Sequence, residues 1–405
     1  MTGPLAGIRV LELVAQGPAP FACMMLADLG AEVIGVERPG THRYEPDAHS
    51  RGRRSVALDL KQPEGREVVL DLVREVDVLV EGFRPGVTER LGVGPDVCLG
   101  ANPRLVYGRM TGWGQDGPLA QEAGHDLNYL ALTGALAAIG EPGRPPVPPL
   151  NLVADYGGGG MLLALGVLAA LHERTSSGRG QVVDAAMVDG VGLMLAPFHA
   201  MAARGRWNER GTNLLDGGAP YYRVYGTADG RWLSVGAIEP AFYRAFLDVL
   251  GLDPAELGAQ SDRSAWPAAT ERIAAVIATR SRDAWAEAFA GTNACVQAVL
   301  ELGEVPGHPH PSARGGFVEI DGVAHPAPAP RLSRTPARLP PMVEPLGAST
   351  AAVLAELGRS PAQIDALREA GVVAVPAERE PGTAPAVGPM HSTPAPAATT
   401  GGEQR

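Results

Sequence analysis

Cysteine is scarce in this chain of 405 residues: Cys23, Cys98 and Cys295 stand far apart, and none belongs to a CxxC pair. Such spacing excludes a disulfide framework and a cysteine-built zinc site, and makes a reducing cytoplasm the expected compartment. Positive charge is also in deficit, with 34 Lys and Arg against 45 Asp and Glu and a formal net charge of −11. A nucleic-acid partner is therefore excluded, and any polyanionic ligand must meet a local cluster of cations. Long apolar runs are missing too. The most hydrophobic stretch, 161–171, is too short to cross a bilayer and reads as a buried helix rich in Ala and Gly, so no membrane partner is expected. The amino terminus shows neither a basic flank nor a long apolar segment, so no signal peptide is expected, and the final Gly-Gly-Glu-Gln-Arg is not a peroxisomal address.

What is present is a repeated alternation of short β-branched runs and helical segments. Strands are expected over 7–13 and 31–37 around a helix at 18–29, then at 55–60, 76–81 and 104–110 with a helix at 63–74. This βαβ order predicts a parallel, doubly wound α/β sheet. The turn after the first strand reads Val-Ala-Gln-Gly-Pro-Ala-Pro and lacks GxGxxG, which argues against a dinucleotide-binding dehydrogenase. Further helices are expected from Asp155 and its four glycines to about Glu173, over roughly 186–205, and at 241–250, 266–280, 349–357 and 361–370. From Tyr221 the composition changes to short aromatic-bearing strands and amphipathic helices, which marks a second domain. Residues 376–405 are rich in Pro, Ala, Thr and Gly and read as a disordered tail.

Two segments offer bases of different chemistry. Residues 124–129 read Gly-His-Asp-Leu-Asn-Tyr, and 151–160 read Asn-Leu-Val-Ala-Asp-Tyr before four glycines. His125 has the side chain best suited to act as base or acid near neutrality. It follows the glycine-rich 111–118, where a ligand can approach the backbone closely. Asp155, just before a glycine-rich helix start, reads as an N-cap, and the same amides can also stabilise developing negative charge. Glu239 precedes a helix, as a dipole-stabilising acid does, or it orients a histidine. Arg38, Lys61 and Arg84 each follow a parallel strand, at the sheet edge where ligands of such folds bind. With Arg90 a helical turn further on, they could hold phosphates, although Arg and Lys are also common on ordinary surface loops.

On these residues the chain resembles the family III CoA-transferases (the CaiB/BaiF superfamily) over about residues 3–375. The family-level matches are Pro-Leu-Ala-Gly-Ile-Arg-Val-Leu-Glu-Leu, Leu-Ala-Asp-Leu-Gly-Ala-Glu-Val-Ile, Gly-Trp-Gly-Gln-Asp-Gly-Pro, Ser-Gly-Arg-Gly-Gln and the late Gly-Val-Val. Gly-His-Asp-Leu-Asn-Tyr, Pro-Pro-Leu-Asn-Leu-Val-Ala-Asp, Leu-Asp-Gly-Gly-Ala-Pro-Tyr-Tyr and Val-Gly-Ala-Ile-Glu-Pro are similar to its α-methylacyl-CoA racemase subgroup. The chain departs from the pattern at Asn293-Ala294-Cys295, where an acidic residue is usual before Ala-Cys, and at Gln297-Ala298, which lacks a proline.

The resemblance implies a Rossmann-like large domain with a parallel sheet (1–186 and 320–375), linker helices (187–219) and a smaller α+β domain (220–319), in an interlocked homodimer whose small domain helps complete the partner's active site. It implies His125 and Asp155 as the two acid/base groups, Glu239 bonded to the histidine, and Asn151 and Asp126 nearby, with the Asp126 amide facing the thioester oxygen. Arg38, Lys61, Arg84, Arg90 and Tyr129 match the CoA contacts. The implied reaction is cofactor-independent epimerisation at C2 of a 2-methylacyl-CoA through an enolate, CoA being part of the substrate. The rival is CoA transfer with Asp155 as nucleophile, which has no need of a second base at His125.

Overall fold

The computed structural model describes residues 3–41, 48–320, 322–341 and 344–375. Runs of Val, Ile and Leu form the strands β1 (Arg9–Leu13), β2 (Glu32–Glu37), β3 (Arg53–Leu58), β4 (Val78–Glu81), β5 (Val106–Thr111) and β6 (Val182–Ala186). They are followed by β7 (Tyr222–Gly226), β8 (Trp232–Gly236), β9 (Val296–Ala298), β10 (Phe317–Ile320), β11 (Val323–Pro326) and β12 (Val373–Ala374). The main sheet has the order β12-β3-β2-β1-β4-β5-β6, with β1 to β6 all parallel. β12 alone runs antiparallel, with Val373 opposite Leu58, so the late part of the chain closes one edge. Order reverses between β1 and β4, where a crevice opens at the carboxyl ends.

Alternation along each strand divides the core between the two faces of this sheet. Val10, Val33, Val78 and Val106 pack with the helices Pro18–Asp28 and Met161–Ser177. Leu11, Ile34, Val56 and Leu79 pack under the helices Pro63–Glu75 and Thr350–Glu356. A third core gathers Tyr221, Leu233, Phe246, Ile273 and Trp285 around the three-stranded sheet β7-β8-β9. The expected boundary at 319/320 falls inside the ribbon β10-β11, and the expected tail at 376–405 lies outside the described residues.

Two expectations change. The helix at Asp155 begins before it: Leu152–Gly160 is a π-helix that takes in the aspartate and all four glycines, and Met161–Ser177 continues it as α-helix. Together they form a helical run long and apolar enough, by length and composition, to cross a membrane. The stretch 161–171 is buried on one side only, since Met161 and Leu165 are 52% and 64% exposed. Near the far end buried Arg174 donates to Asp77 (2.8 Å) and to the Arg104 carbonyl (3.0 Å), fastening the helix to the sheet. The glycines serve close approach rather than flexibility. A Cβ on Gly160 would fall 2.7 Å from Phe21 and from the Pro18 carbonyl, and one on Gly190 only 2.0 Å from the Gly158 carbonyl oxygen. The helical region after β6 also divides, into Met187–Met194 and Ala196–Ala203.

Candidate active site

A cavity of about 1160 Å³ opens at the carboxyl ends of β1 to β5. This exceeds the roughly 300–1,000 Å³ of ordinary small-molecule pockets, leaving room for a long ligand. Arg38 after β2, Lys61 after β3 and Arg84 after β4 all line it, exposed and ready to meet anionic groups. Lys61 is the only lysine in the chain. The loop bearing Arg84 is braced from below: Arg109 of β5 donates to Glu81 (2.9 Å) and Glu89 (2.9 Å), and Glu81 also accepts the Phe83 amide (2.7 Å). Burial raises the Glu81 pKa above the usual carboxylate range, against the pull of that amide and of Arg109. Arg90, expected to join the cations, is exposed on the short helix Val87–Arg90 and is not among the lining residues.

Another part of the lining carries the bases. His125 is the N-cap of the helix Asp126–Thr133, and its own amide donates to the Asn128 side chain (3.0 Å). Tyr129, one turn on, lines the cavity with its ring but spends its hydroxyl on the Gly124 carbonyl (2.5 Å). Burial pushes that phenol up to about 12. Its ring explains two glycines, because a Cβ on Gly112 would lie 2.1 Å from it and one on Gly124 2.7 Å. Asp155 enters the same cavity from the π-helix, with Oδ2 accepting from Asn151 Nδ2 at 3.1 Å. Gly17, with φ +76°, brings the β1 loop against it, since a Cβ there would stand 3.5 Å from Asp155 Oδ2.

Burial raises the proton affinity of Asp155; the Asn151 hydrogen bond opposes this, the negative Asp126 adds to it, and His125 opposes it. A half-buried carboxylate with raised proton affinity, lining one cavity with a histidine, is suited to give or take a proton.

Asp155 does not cap its own helix. That task falls to Asp126, whose buried carboxylate accepts the amides of Ala154 (2.8 Å) and Asp155 (2.9 Å). The reason is geometric: the π-helix starts three residues before Asp155, so the unpaired amides of its first turn need an acceptor from elsewhere. The Asp126 carboxylate is thus engaged by those amides, and Asp126 is not among the lining residues, while its backbone amide sits in the first turn of its own helix, where no intrahelical partner exists. Glu239 is exposed at the N-cap of the helix Pro240–Leu250, outside this cavity, and among the described residues no hydrogen bond joins it to His125.

Sequence reasoning missed several lining groups. Arg53 is almost fully buried, paired with Glu12 of β1 and bonded to Ser50 Oγ (2.7 Å) and the Pro20 carbonyl (2.9 Å). Glu12 is pushed above the usual carboxylate range by burial, which Arg53 only partly offsets. A charge inside each of two β-branched runs was the available signal. His49 lines the cavity beside Tyr156 (ring centroids 5.1 Å) and Phe21 (5.8 Å) and had no signal in its neighbours.

Residues 5–350 match the model of CoA-transferase family III. The chain is 46% identical over 364 residues to the alpha-methylacyl-CoA racemase of Mus musculus, covering 89% of this chain and 95% of that protein. It is 45% identical over 363 residues to the Homo sapiens alpha-methylacyl-CoA racemase, with the same two shares. The crystal structure of a CAIB/BAIF family protein from Brucella suis superposes with a TM-score of 0.77 at 27% identity, over 88% of this chain and 100% of that one. On the family match and the two relatives, the chain belongs to CoA-transferase family III.

Proposed function

We propose that the protein is an α-methylacyl-CoA racemase, inverting C2 of a 2-methyl-branched acyl-CoA by proton transfer between two bases. The observation that carries this reading is His125 and Asp155 in one cavity that Arg38, Lys61 and Arg84 also line. The cations hold the nucleotide end, and remote binding energy positions the short reacting end. A hydrogen beside a thioester carbonyl is too weakly acidic for either base in water, so the developing enolate oxygen needs donors, which the Asp126 amide and its helix N-terminus supply. One base removes the proton from one face, the other returns one to the opposite face, and the centre inverts. Atoms and charge balance within that exchange, so the chemistry calls for neither metal nor redox cofactor.

The same reading includes a large CoA-binding domain (1–186 and 320–375), linker helices (187–219) and a small domain (220–319). It also includes a homodimer in which Glu239 of a second copy reaches His125. Two features support that dimer: Glu239 lies outside its own chain's cavity, and Leu127, Leu132, Leu150, Leu152 and Leu193 are exposed near the bases. Free Cys23, Cys98 and Cys295 agree with a cytoplasmic setting.

The test is a single 2-methylacyl-CoA epimer incubated in deuterated water without an acid acceptor. Inversion with deuterium uptake at C2 is expected. Retained configuration without uptake across a panel of acyl chains refutes the reading, and transfer of CoA to an added carboxylate points instead to Asp155 as a nucleophile.

A further inference from the structure

We propose that the Asp126 carboxylate is the brace that sets the separation between the two proton-transfer groups, which makes Asp126 a positioning residue through its side chain. The inference rests on the racemase reading above. Asp126 follows His125 directly in the chain, and its side chain binds the backbone amide of Asp155, 29 residues away. One residue thus links both bases, to the first covalently and to the second by a charge-assisted bond of 2.9 Å. The companion bond to the Ala154 amide (2.8 Å) fixes direction as well as distance, because two bonds to one oxygen leave the helix start little freedom to tilt.

The intervening chain cannot do this work. Residues 139–150 form an exposed connection rich in Pro and Gly, and it reaches the π-helix through Leu150 in a left-handed conformation (φ 58°). Such a backbone persists only where its surroundings hold it. An ordinary N-cap is local, lying two or three residues before the amides it serves. Here the acceptor comes from the other base's helix, is only 6% exposed, and leaves its Oδ1 without a protein partner. An asparagine can therefore keep the Oδ1 acceptor toward the two amides while its Nδ2 takes the place of the unpartnered oxygen.

The readout is the ratio of inversion to C2 deuterium exchange. Both faces of one carbon must be served for inversion, whereas exchange with retention needs only one. Asp126→Ala is expected to lower that ratio by about tenfold or more, since an ångström of misplacement can cost on the order of a hundredfold in a positioned step. Asp126→Asn is expected to hold it within about twofold of the parent, because the acceptor geometry survives. Native-state hydrogen exchange provides a measurement independent of turnover: the Ala154 and Asp155 amides lose protection in Asp126→Ala and keep it in Asp126→Asn. If Asp126→Ala does not fold, Asp126→Glu carries the test, its longer arm being expected to lower the ratio. An unchanged ratio in Asp126→Ala or Asp126→Glu overturns the brace, as does Asp126→Asn falling as far as Asp126→Ala. A parent enzyme that neither inverts nor exchanges C2 fails the racemase reading instead, and the two amides then decide the brace alone.

Discussion

The two walls of the cavity are built by different means. On one, Arg38, Lys61 and Arg84 stand just past three parallel strands, exposed and separately anchored. A parallel sheet delivers every strand end to the same edge, so such a wall needs no special local structure. On the other, His125 depends on a helix N-cap, and Asp155 on a π-helix whose first amides are held from another element. The lesson concerns tolerance. On the racemase reading proposed above, several screened cations share the work of binding, so that losing one weakens it, whereas the chemistry rests on two groups with no substitute.

That contrast is sharpest in the largest expected effect. His125→Ala and Asp155→Ala should each lower epimerisation by at least about 10²–10⁴-fold, the usual worth of a positioned acid or base. CoA affinity, read by calorimetry on the free coenzyme, should stay near the parent value. A variant at either position that retains parental turnover breaks the comparison, because the base wall would then be as redundant as the cation wall.

Packing behind the base wall gives the next effect. Gly190→Ala would place a Cβ 2.0 Å from the Gly158 carbonyl oxygen, forcing the π-helix away from the helix Met187–Met194. Overpacking of this kind costs about 1–3 kcal/mol, and turnover should fall with stability. Gly192 lies in the same helix and a Cβ there meets nothing within 4 Å. Gly192→Ala should therefore be neutral or stabilising by up to about 1 kcal/mol, as for alanine over glycine in a helix interior. Equal denaturation midpoints for the two variants would show that the close approach does not support the wall.

How far each wall was legible in the sequence follows from the same difference. The strands were placed within about two residues of their observed bounds because β-branched runs carry a local signal, and Arg38, Lys61 and Arg84 were found simply as the cations after them. Arg90 follows on the helix Val87–Arg90 and is not among the lining residues, since one turn of helix decides which way a side chain faces. On the base wall residue types were legible and geometry was not. Asp155 read as a cap because Asp before glycines usually is one. The bond that reassigns the role comes from Asp126, and nothing in a linear string pairs residues 28 apart. The packing role of the glycines at 157–160 was hidden for the same reason: the neighbours that require them, Phe21, Met187 and Val191, are remote in sequence. The Glu12–Arg53 pair, likewise, shows only when β1 and β3 occupy one sheet.

The cation wall should yield smaller effects. Lys61→Ala and Arg84→Ala are each expected to raise KM by about three- to tenfold, roughly 0.7–1.4 kcal/mol, with kcat little changed. The loss should shrink as salt is added, because exposed charges are screened within about 8 Å at physiological ionic strength. Arg90→Ala, outside the lining, should do less than either. Since Lys61 is the only lysine, an amine-directed reagent can label this wall at a single side chain, and CoA should protect it. Labelling at the same rate with saturating CoA would remove Lys61 from the wall.

The smallest effect separates the walls by stability rather than turnover. Burial raises the pKa of Asp155 above the ordinary aspartate value, so the folded state holds its proton more tightly than the unfolded chain does. Below about pH 3.9 both states are protonated and the residue costs the fold nothing. As pH rises from there toward the folded-state value, the unfolded chain releases its proton first, and stability falls. Above that value both states are ionised and the penalty is constant. Asp155→Asn removes the penalty while keeping an acceptor for Asn151, so its melting temperature should exceed the parent's at pH 7 and converge with it near pH 4. Lys61→Ala, exposed and solvated, should show no such divergence. A melting difference for Asp155→Asn that is the same at every pH, or that narrows as pH rises, would mean that the base wall carries no stored cost and differs from the cation wall in geometry alone.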